Sequence, residues 1–324
     1  MIKTRFTEMF GVQHPIVQGG MQWVGRAELA SAVSNAGALG ILTGLTQPTP
    51  ADLAKEIKRC QGMTNKPFGV NLTILPTLKP VPYEEYVDAI VASGVKIVET
   101  AGNNPKPFLP KLKAAGIKVI HKCTSVRHGI SAEKVGVDAI SMDGFECAGH
   151  PGEDDVPNLV LLPAAANVIT IPMLASGGLA DARGLVAALA LGCEGINMGT
   201  RFMATKEAPI HQKVKEAIVA GDERSTALIL RTLRNTSRVY GNSVAKKAIA
   251  MEGEGKKIDE IGPFIAGAKG RLVYETGDLE QGIWSAGTVM GLIQDIPSCQ
   301  ELVSRIVSEA EALIKGKLAR MMVA

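Results

Sequence analysis

The sequence predicts a (β/α)8 barrel, the TIM-barrel fold, followed by a mostly helical C-terminal extension. Short apolar runs alternate with amphipathic helical patterns about eight times before residue 205. Glycine is frequent, at 35 of 324 residues, whereas aromatic residues make up only 4%. This composition favours many tight strand-to-helix turns over an aromatic-rich β-sandwich. A doubly wound open sheet is the structural alternative.

Each barrel unit can be placed along the chain. The predicted strands cover 15–20, 39–43, 67–73, 96–101, 118–123, 138–144, 171–176 and 194–199. The predicted helices lie near 26–36, 49–62, 83–93, 106–115, 126–135, 159–168, 181–191 and 207–220. Several of these helices end at glycine, which is a common helix stop signal. Near-continuous apolar strands joined by helices indicate a parallel sheet that is covered on both faces.

The alternation stops after residue 220. We therefore expect the barrel to span 1–220 and a helical extension, 221–300, to cover the site. A terminal helical segment, 301–324, could return to pack on the barrel. Between the third strand and the next helix, the proline-rich loop 75–82 is expected to act as a mobile lid.

Composition and charge exclude several classes of protein. Hydrophobic residues make up 46% of the chain and the net charge is only +3, so neither disorder nor binding to nucleic acid or anionic membranes is indicated. Five widely spaced cysteines without a CxxC motif indicate reduced thiols, and no metal site is expected. No signal peptide or membrane span is predicted, which favours a cytoplasmic protein, either a monomer or a homodimer.

In this fold, reactive groups lie on the loops at the C-terminal ends of the strands. Ser176, Gly177 and Gly178 follow the seventh strand, and Gly199 and Thr200 follow the eighth. Loops at these two places commonly bind phosphate, because glycines let backbone N–H groups approach the anion. The alternative is that these glycines only form tight turns. After the first strand, Gly19 and Gly20 could let a flat ligand lie on the backbone, or could again be a turn.

Two polar side chains stand out at the predicted barrel mouth. Lys122 lies in an apolar strand and needs an anionic partner, either a reduced flavin or a neighbouring carboxylate. His150, in the loop after the sixth strand, is suited to proton transfer near neutral pH or is a surface histidine. The acidic run at 153–155 is expected to be a solvated loop or a group of charges at the start of a helix, and Cys147 is a weak candidate nucleophile.

Taken together, these segments resemble the FMN-dependent nitronate monooxygenase family, also described as 2-nitropropane dioxygenase-like, and most of all its NADH:quinone reductase branch. The resemblance is carried by HPIVQGGMQWVG at 14–25, GVNLT at 69–73, VIHKCTSVRH at 119–128, DGFECAGHPGEDD at 143–155, ASGGLADARGLVAALALG at 175–192, NMGTRF at 197–202, RNTSRV at 234–239 and IWSAG at 283–287. The sixth-loop segment is the most specific of these.

The resemblance implies non-covalent FMN at the barrel mouth and NADH as co-substrate. It implies FMN contacts at Gly20, Met21, Gln22, Thr43, Thr73, Lys122, Ala148, Gly177, Gly178, Leu179, Gly199 and Thr200. His150 matches the family's active-site histidine, which in the reductase branch is expected to position the substrate or nicotinamide.

The expected activity is hydride transfer from NADH to FMN, followed by electron transfer to a quinone. One alternative is oxidation of alkyl nitronates with O2. Another is a phosphate-ligand isomerase, lyase or binding protein on the same barrel, because this fold hosts many chemistries.

Overall fold

The structure is a computed structural model that describes residues 2–74 and 80–322. Eight parallel strands form a closed barrel in chain order, with β8 paired to β1. The strands are β1 Ile16–Gln18, β2 Leu39–Thr43, β3 Phe68–Ile74, β4 Ile97–Gly102, β5 Lys118–Cys123, β6 Ala139–Asp143, β7 Met173–Ser176 and β8 Gly195–Met198. The predicted (β/α)8 barrel is confirmed. Of the predicted lid, residues 75–79 lie outside the described part of the chain.

Helices surround the barrel and continue into the extension. They are α1 Arg5–Phe10, α2 Ala27–Asn35, α3 Pro50–Gln61, α4 Tyr83–Ala92, α5 Leu109–Ala114, α6 Val126–Val135, α7 Asn158–Ala166, α8 Ala182–Ala190, α9 Thr200–Met203, α10 Gln212–Ala220, α11 Ser243–Gly253, α12 Ile258–Ile265, α13 Gly267–Thr276 and α14 Cys299–Ala312. Helices α5 and α10 begin later than predicted because prolines at 105, 107 and 209 disfavour helical geometry in the residues before them.

The barrel interior is apolar at its N-terminal end. Its buried side chains form one cluster with residues of α1: Phe6, Phe10, Val12, Val17, Leu39, Ile41, Ile97, Ile120, Ala139 and Leu174. The rings of Phe6 and Phe10 stack with their centroids 4.6 Å apart. Helix α1 therefore closes the bottom of the barrel, which leaves the opposite end for polar groups.

The extension contains a feature that the sequence did not predict. Strands β9 Thr226–Ile229 and β10 Ser237–Tyr240 form an antiparallel pair. This pair packs with α11 and α12 around a small core of its own. Each strand has only four residues, which is too short for a clear alternating pattern. The terminal helix α14 contacts α2 and α8 on the outside of the barrel.

Within residues 2–74 and 80–322, no helix combines the length and the apolarity needed to cross a membrane.

Close helix-to-strand packing makes Gly40 of β2 sensitive to substitution. A Cβ atom at this position would collide with the backbone of Ala30 in α2. We expect Gly40→Ala to lower the free energy of unfolding by about 1–3 kcal/mol, because neither backbone can move freely. Chemical denaturation measures this difference. The control is Gly253→Ala in α11, where a Cβ atom would meet no atom within 4 Å. That variant should be neutral or more stable by about 0.5–1 kcal/mol; equal effects at both positions would contradict the packing argument.

Candidate active site

Two neighbouring cavities open at the C-terminal ends of the barrel strands. The first, of about 290 Å³, lies between the barrel mouth and the extension. Its lining includes most of the residues expected to hold a cofactor: Gly20, Met21, Gln22, Lys122, Ala148, Ser176, Gly177, Gly178, Leu179, Gly199 and Thr200. The structure therefore brings together segments from five different strand ends.

The second cavity, of about 490 Å³, lies over β3 to β6 and has many polar side chains in its lining. Thr73 and His150 line this cavity and not the first one. The two cavities share a wall that contains Gly20, Lys122, Asp143 and Ala148. A ligand in either cavity would thus lie beside Lys122.

Thr43 lines neither cavity. Its hydroxyl accepts a hydrogen bond from the backbone N–H of Met21 at 2.8 Å and donates to the carbonyl of Met21 at 2.9 Å. Thr43 is buried. The contact that the structure gives Thr43 is therefore with the loop after β1, which it fixes in place.

A buried carboxylate supports the same loop from below. Glu99 of β4 is fully buried and accepts three hydrogen bonds. Its donors are the backbone N–H of Gly20 at 2.8 Å, Asn71 Nδ2 at 2.8 Å and Asn197 Nδ2 at 3.0 Å. Three elements, namely the β1 loop, β3 and β8, are joined at one side chain.

The side-chain amides of Asn71 and Asn197 require glycine at both positions after β1. A Cβ atom on Gly20 would collide with Asn71, and one on Gly19 would lie 2.5 Å from Asn197 Oδ1. The sequence-based interpretation assigned the glycines to ligand access or to a turn. The structure shows that they make room for the side chains of the barrel interior.

Lys122 and Asp143 form a largely buried pair beside both cavities. Lys122 Nζ lies 3.7 Å from Asp143 Oδ2, and the two side chains are 21% and 12% exposed. Burial alone would lower the pKa of Lys122, but the carboxylates of Asp143 and Glu99 outweigh it and raise the pKa. Lys122 is therefore a cation near neutral pH.

Two histidines of the second cavity differ in their surroundings. His121 is buried, and burial lowers its pKa to about 4; its Nδ1 lies 2.8 Å from the Thr100 hydroxyl. His150 is reached by solvent, although the concave wall around it lowers the pKa of its imidazole. Both rings are therefore expected to be neutral near pH 7.

The sixth loop joins the barrel to the extension. Glu153 accepts hydrogen bonds from the backbone N–H and the hydroxyl of Thr236, at 2.8 and 2.6 Å. Asp155 forms an ion pair with Arg231 at 2.6 Å. Glu153 and Asp155 are both exposed, and they also attach the β9–β10 pair to the barrel. Gly149 also exchanges backbone hydrogen bonds with Arg238.

Sequence reasoning missed several residues of the site. They are Glu99, Asn71, Asn197, Asp143 and, from the extension, Trp284. A signal was present for Glu99 and Asn197, because a charge or amide inside an apolar strand needs buried partners. No local pattern placed Trp284 at the mouth, since it is far along the chain from every strand of the barrel.

With this geometry established, comparison with known proteins identifies the family. The sequence model described as nitronate monooxygenase matches residues 3–82 and 74–309. The chain belongs to the nitronate monooxygenase family.

Its relatives carry several different names. FabK from Thermotoga maritima is 35% identical, with a TM-score of 0.93 over 99% of this chain and 100% of that one. A Rhodococcus jostii protein named (3aS,4S,5R,7aS)-5-hydroxy-7a-methyl-1-oxo-octahydro-1H-indene-4-carboxyl-CoA dehydrogenase is 31% identical over 95% of this chain and 96% of its own length. A probable nitronate monooxygenase from Staphylococcus aureus is 28% identical over 78% and 82%. The protein is thus an oxidoreductase of the nitronate monooxygenase family.

Membership of this oxidoreductase family points to a flavin as the cofactor. The first cavity fits a flavin in two respects. Among the described residues, the backbone N–H groups of Gly178, Leu179 and Gly199 have no protein acceptor, and all three residues line the cavity. Such free N–H groups suit a phosphate. At the other side, Asp143 Oδ1 is buried without a hydrogen-bond partner, as expected where a ligand completes the site.

The charge of Lys122 gives a direct test. We expect Lys122→Met to make reduction of the bound flavin harder, because the variant lacks the cation that faces the first cavity. Loss of one preorganised charge contact is worth about 2–4 kcal/mol, or roughly 10²–10³-fold in rate. Anaerobic flavin reduction and the reduction potential measure this effect. The control is Lys58→Met on the exposed side of α3. A wild-type potential in Lys122→Met would show that the lysine is only structural.

Proposed function

We propose that the protein is an FMN-dependent NADH:quinone oxidoreductase. In this proposal hydride passes from NADH to FMN, and the electrons then pass to a quinone. The observation that carries it is the position of Lys122. This cation lies in the wall shared by the first cavity, between barrel and extension, and the second cavity, over β3 to β6.

The first cavity is suited to a bound cofactor. Free N–H groups at the seventh and eighth loops offer one phosphate site, and no GxGxxG fingerprint follows a strand, which favours FMN over a dinucleotide flavin. FMN would supply the exchange of two electrons between donor and acceptor. Lys122 would stabilise the negative charge that reduction adds beside it.

The second cavity is suited to the two substrates. Its polar lining includes Asn103, Asn104, Thr124 and His150. NADH and the quinone would use this side in turn, each lying against the shared wall at Lys122. Because hydride transfer needs alignment more than a protein base, His150 would position the donor or acceptor.

The choice of quinone as acceptor rests on the sixth loop. The segment 143–155 resembles the reductase branch of the family, and its residues Glu153 and Asp155 have defined roles in attaching the extension. A second candidate is oxidoreduction of a coenzyme A thioester, favoured by the name of the Rhodococcus relative. Oxidation of alkyl nitronates is the activity named by the family as a whole.

Anaerobic rapid mixing separates these functions. We expect NADH to bleach the flavin absorbance rapidly and a benzoquinone to restore it, because both substrates would bind against the wall that contains Lys122. NADPH, an alkyl nitronate and crotonyl-CoA serve as parallel probes. Bleaching by the nitronate alone would favour nitronate oxidation. Reoxidation by crotonyl-CoA but not by the benzoquinone would favour the thioester function, and either result would overturn the proposal.

His150→Ala tests the positioning role. In a quinone reductase, we expect this change to raise the KM for NADH or quinone while flavin reduction at saturating NADH stays near the wild-type rate. A protein base would instead contribute about 10²–10⁴-fold to the chemical step. Single-turnover kinetics distinguish binding from chemistry. A collapse of roughly a thousandfold in flavin reduction, within that range, would contradict the positioning role.

A further inference from the structure

The overall reaction of the proposed function consumes a proton. NADH, a quinone and one proton yield NAD⁺ and a hydroquinone. The hydride from NADH supplies one hydrogen and both electrons, so the quinone first becomes a monoanion. A proton must then form the second O–H bond. Neither the flavin nor NADH supplies this proton.

We propose that the carboxyl group of Asp143 donates this proton, with Lys122 as its charge partner. Asp143 lines both cavities, so it can reach an acceptor from either side. In the step, the O–H bond of the carboxyl breaks and an O–H bond forms on the quinone monoanion. Asp143 is left as a carboxylate beside the Lys122 ammonium and regains a proton from water through the second cavity. This inference rests on the proposed function.

The charge count around the pair supports a proton at this place. Glu99, Asp143 and Lys122 would carry two negative charges and one positive charge if all were ionised. Glu99 already accepts hydrogen bonds from three N–H donors. Asp143 Oδ1 accepts none and is buried. A proton on Oδ1 therefore displaces no hydrogen bond that this oxygen accepts.

The surroundings act in the same direction. Burial raises the pKa of Asp143 against the opposing effects of Lys122 and of a hydrogen bond with Ser176. The titratable groups that interact with Asp143 are Lys122, Glu99, Cys123 and Cys147. Glu146 lines the first cavity with it, and His121, His128 and His150 line the second. Burial raises the pKa of the Cys147 thiol, so this thiol stays neutral.

Asp143→Asn preserves the shape of the side chain and removes its proton. We expect reoxidation of the reduced holoenzyme by a benzoquinone to slow by about 10² or more, the scale of a general acid. Flavin reduction by NADH is measured in the same variant, so that any change in that step is known separately. Ferricyanide takes up an electron without a proton, so its reaction with the variant should stay fast. Loss of a proton donor would slow only the reaction with quinone, whereas a change in the flavin reduction potential would affect both acceptors.

The pH profile provides a second readout. Reoxidation of the wild type by quinone should slow as pH rises through the pKa of Asp143, because the protonated form is the donor. Asp143→Asn should lose this dependence, and Asp143→Glu should restore part of the rate. Difference infrared spectra of the resting holoenzyme, wild type against Asp143→Asn, should show a protonated carboxyl band that disappears at high pH.

Three outcomes would overturn the inference: quinone reoxidation unchanged in Asp143→Asn, an equal slowing with ferricyanide, or no protonated carboxyl band. Failure of the proposed function is seen separately, as wild-type enzyme that NADH does not reduce or that quinone does not reoxidise. The infrared titration still reports the protonation state of Asp143 in that case.

Discussion

The buried carboxylate of Glu99 is the interaction on which the rest of the site depends. A charge without solvent is tolerated only when hydrogen bonds replace its hydration, and three N–H groups from separate elements do so here. Two of these donors are asparagine side chains that fill the space under the β1 loop. Because of them, Gly19 and Gly20 cannot carry a Cβ atom. The shape of the barrel mouth follows from satisfying one carboxylate.

The sixth loop is a second element on which the site depends. This loop lines the first cavity through Cys147 and Ala148 and holds the extension through Glu153 and Asp155. In return, the extension contributes Trp284, which is 2% exposed and stacks on Tyr240 with the ring centroids 4.5 Å apart. Neither the barrel nor the extension encloses the cavity alone. Excluding water strengthens the electrostatic effect of the few charges inside it.

The sequence predicted the barrel better than it predicted the site. Apolar strands and glycine helix ends recur locally, so all eight barrel strands were found close to their observed positions. Loop residues such as Gly178 and Thr200 follow from the rule that function lies at the C-terminal ends of strands. Other features depend on how segments that are distant in the sequence meet. They are the separation of His150 from the first cavity, the role of Thr43 and the contact of Thr236 with Glu153. No local pattern carries that information.

The distribution of charge explains why the loops proposed to bind phosphate are built from glycine. Two acidic side chains, Glu99 and Asp143, already lie near the ammonium of Lys122 at the barrel mouth. Arg201 directly follows Thr200, yet its guanidinium donates to Asp295 and to the carbonyl of Ala204, where it fastens the extension. An anion at the seventh and eighth loops must therefore be bound by neutral backbone N–H groups. Lys122 then remains available for the negative charge that a redox reaction creates at the other end of the cavity.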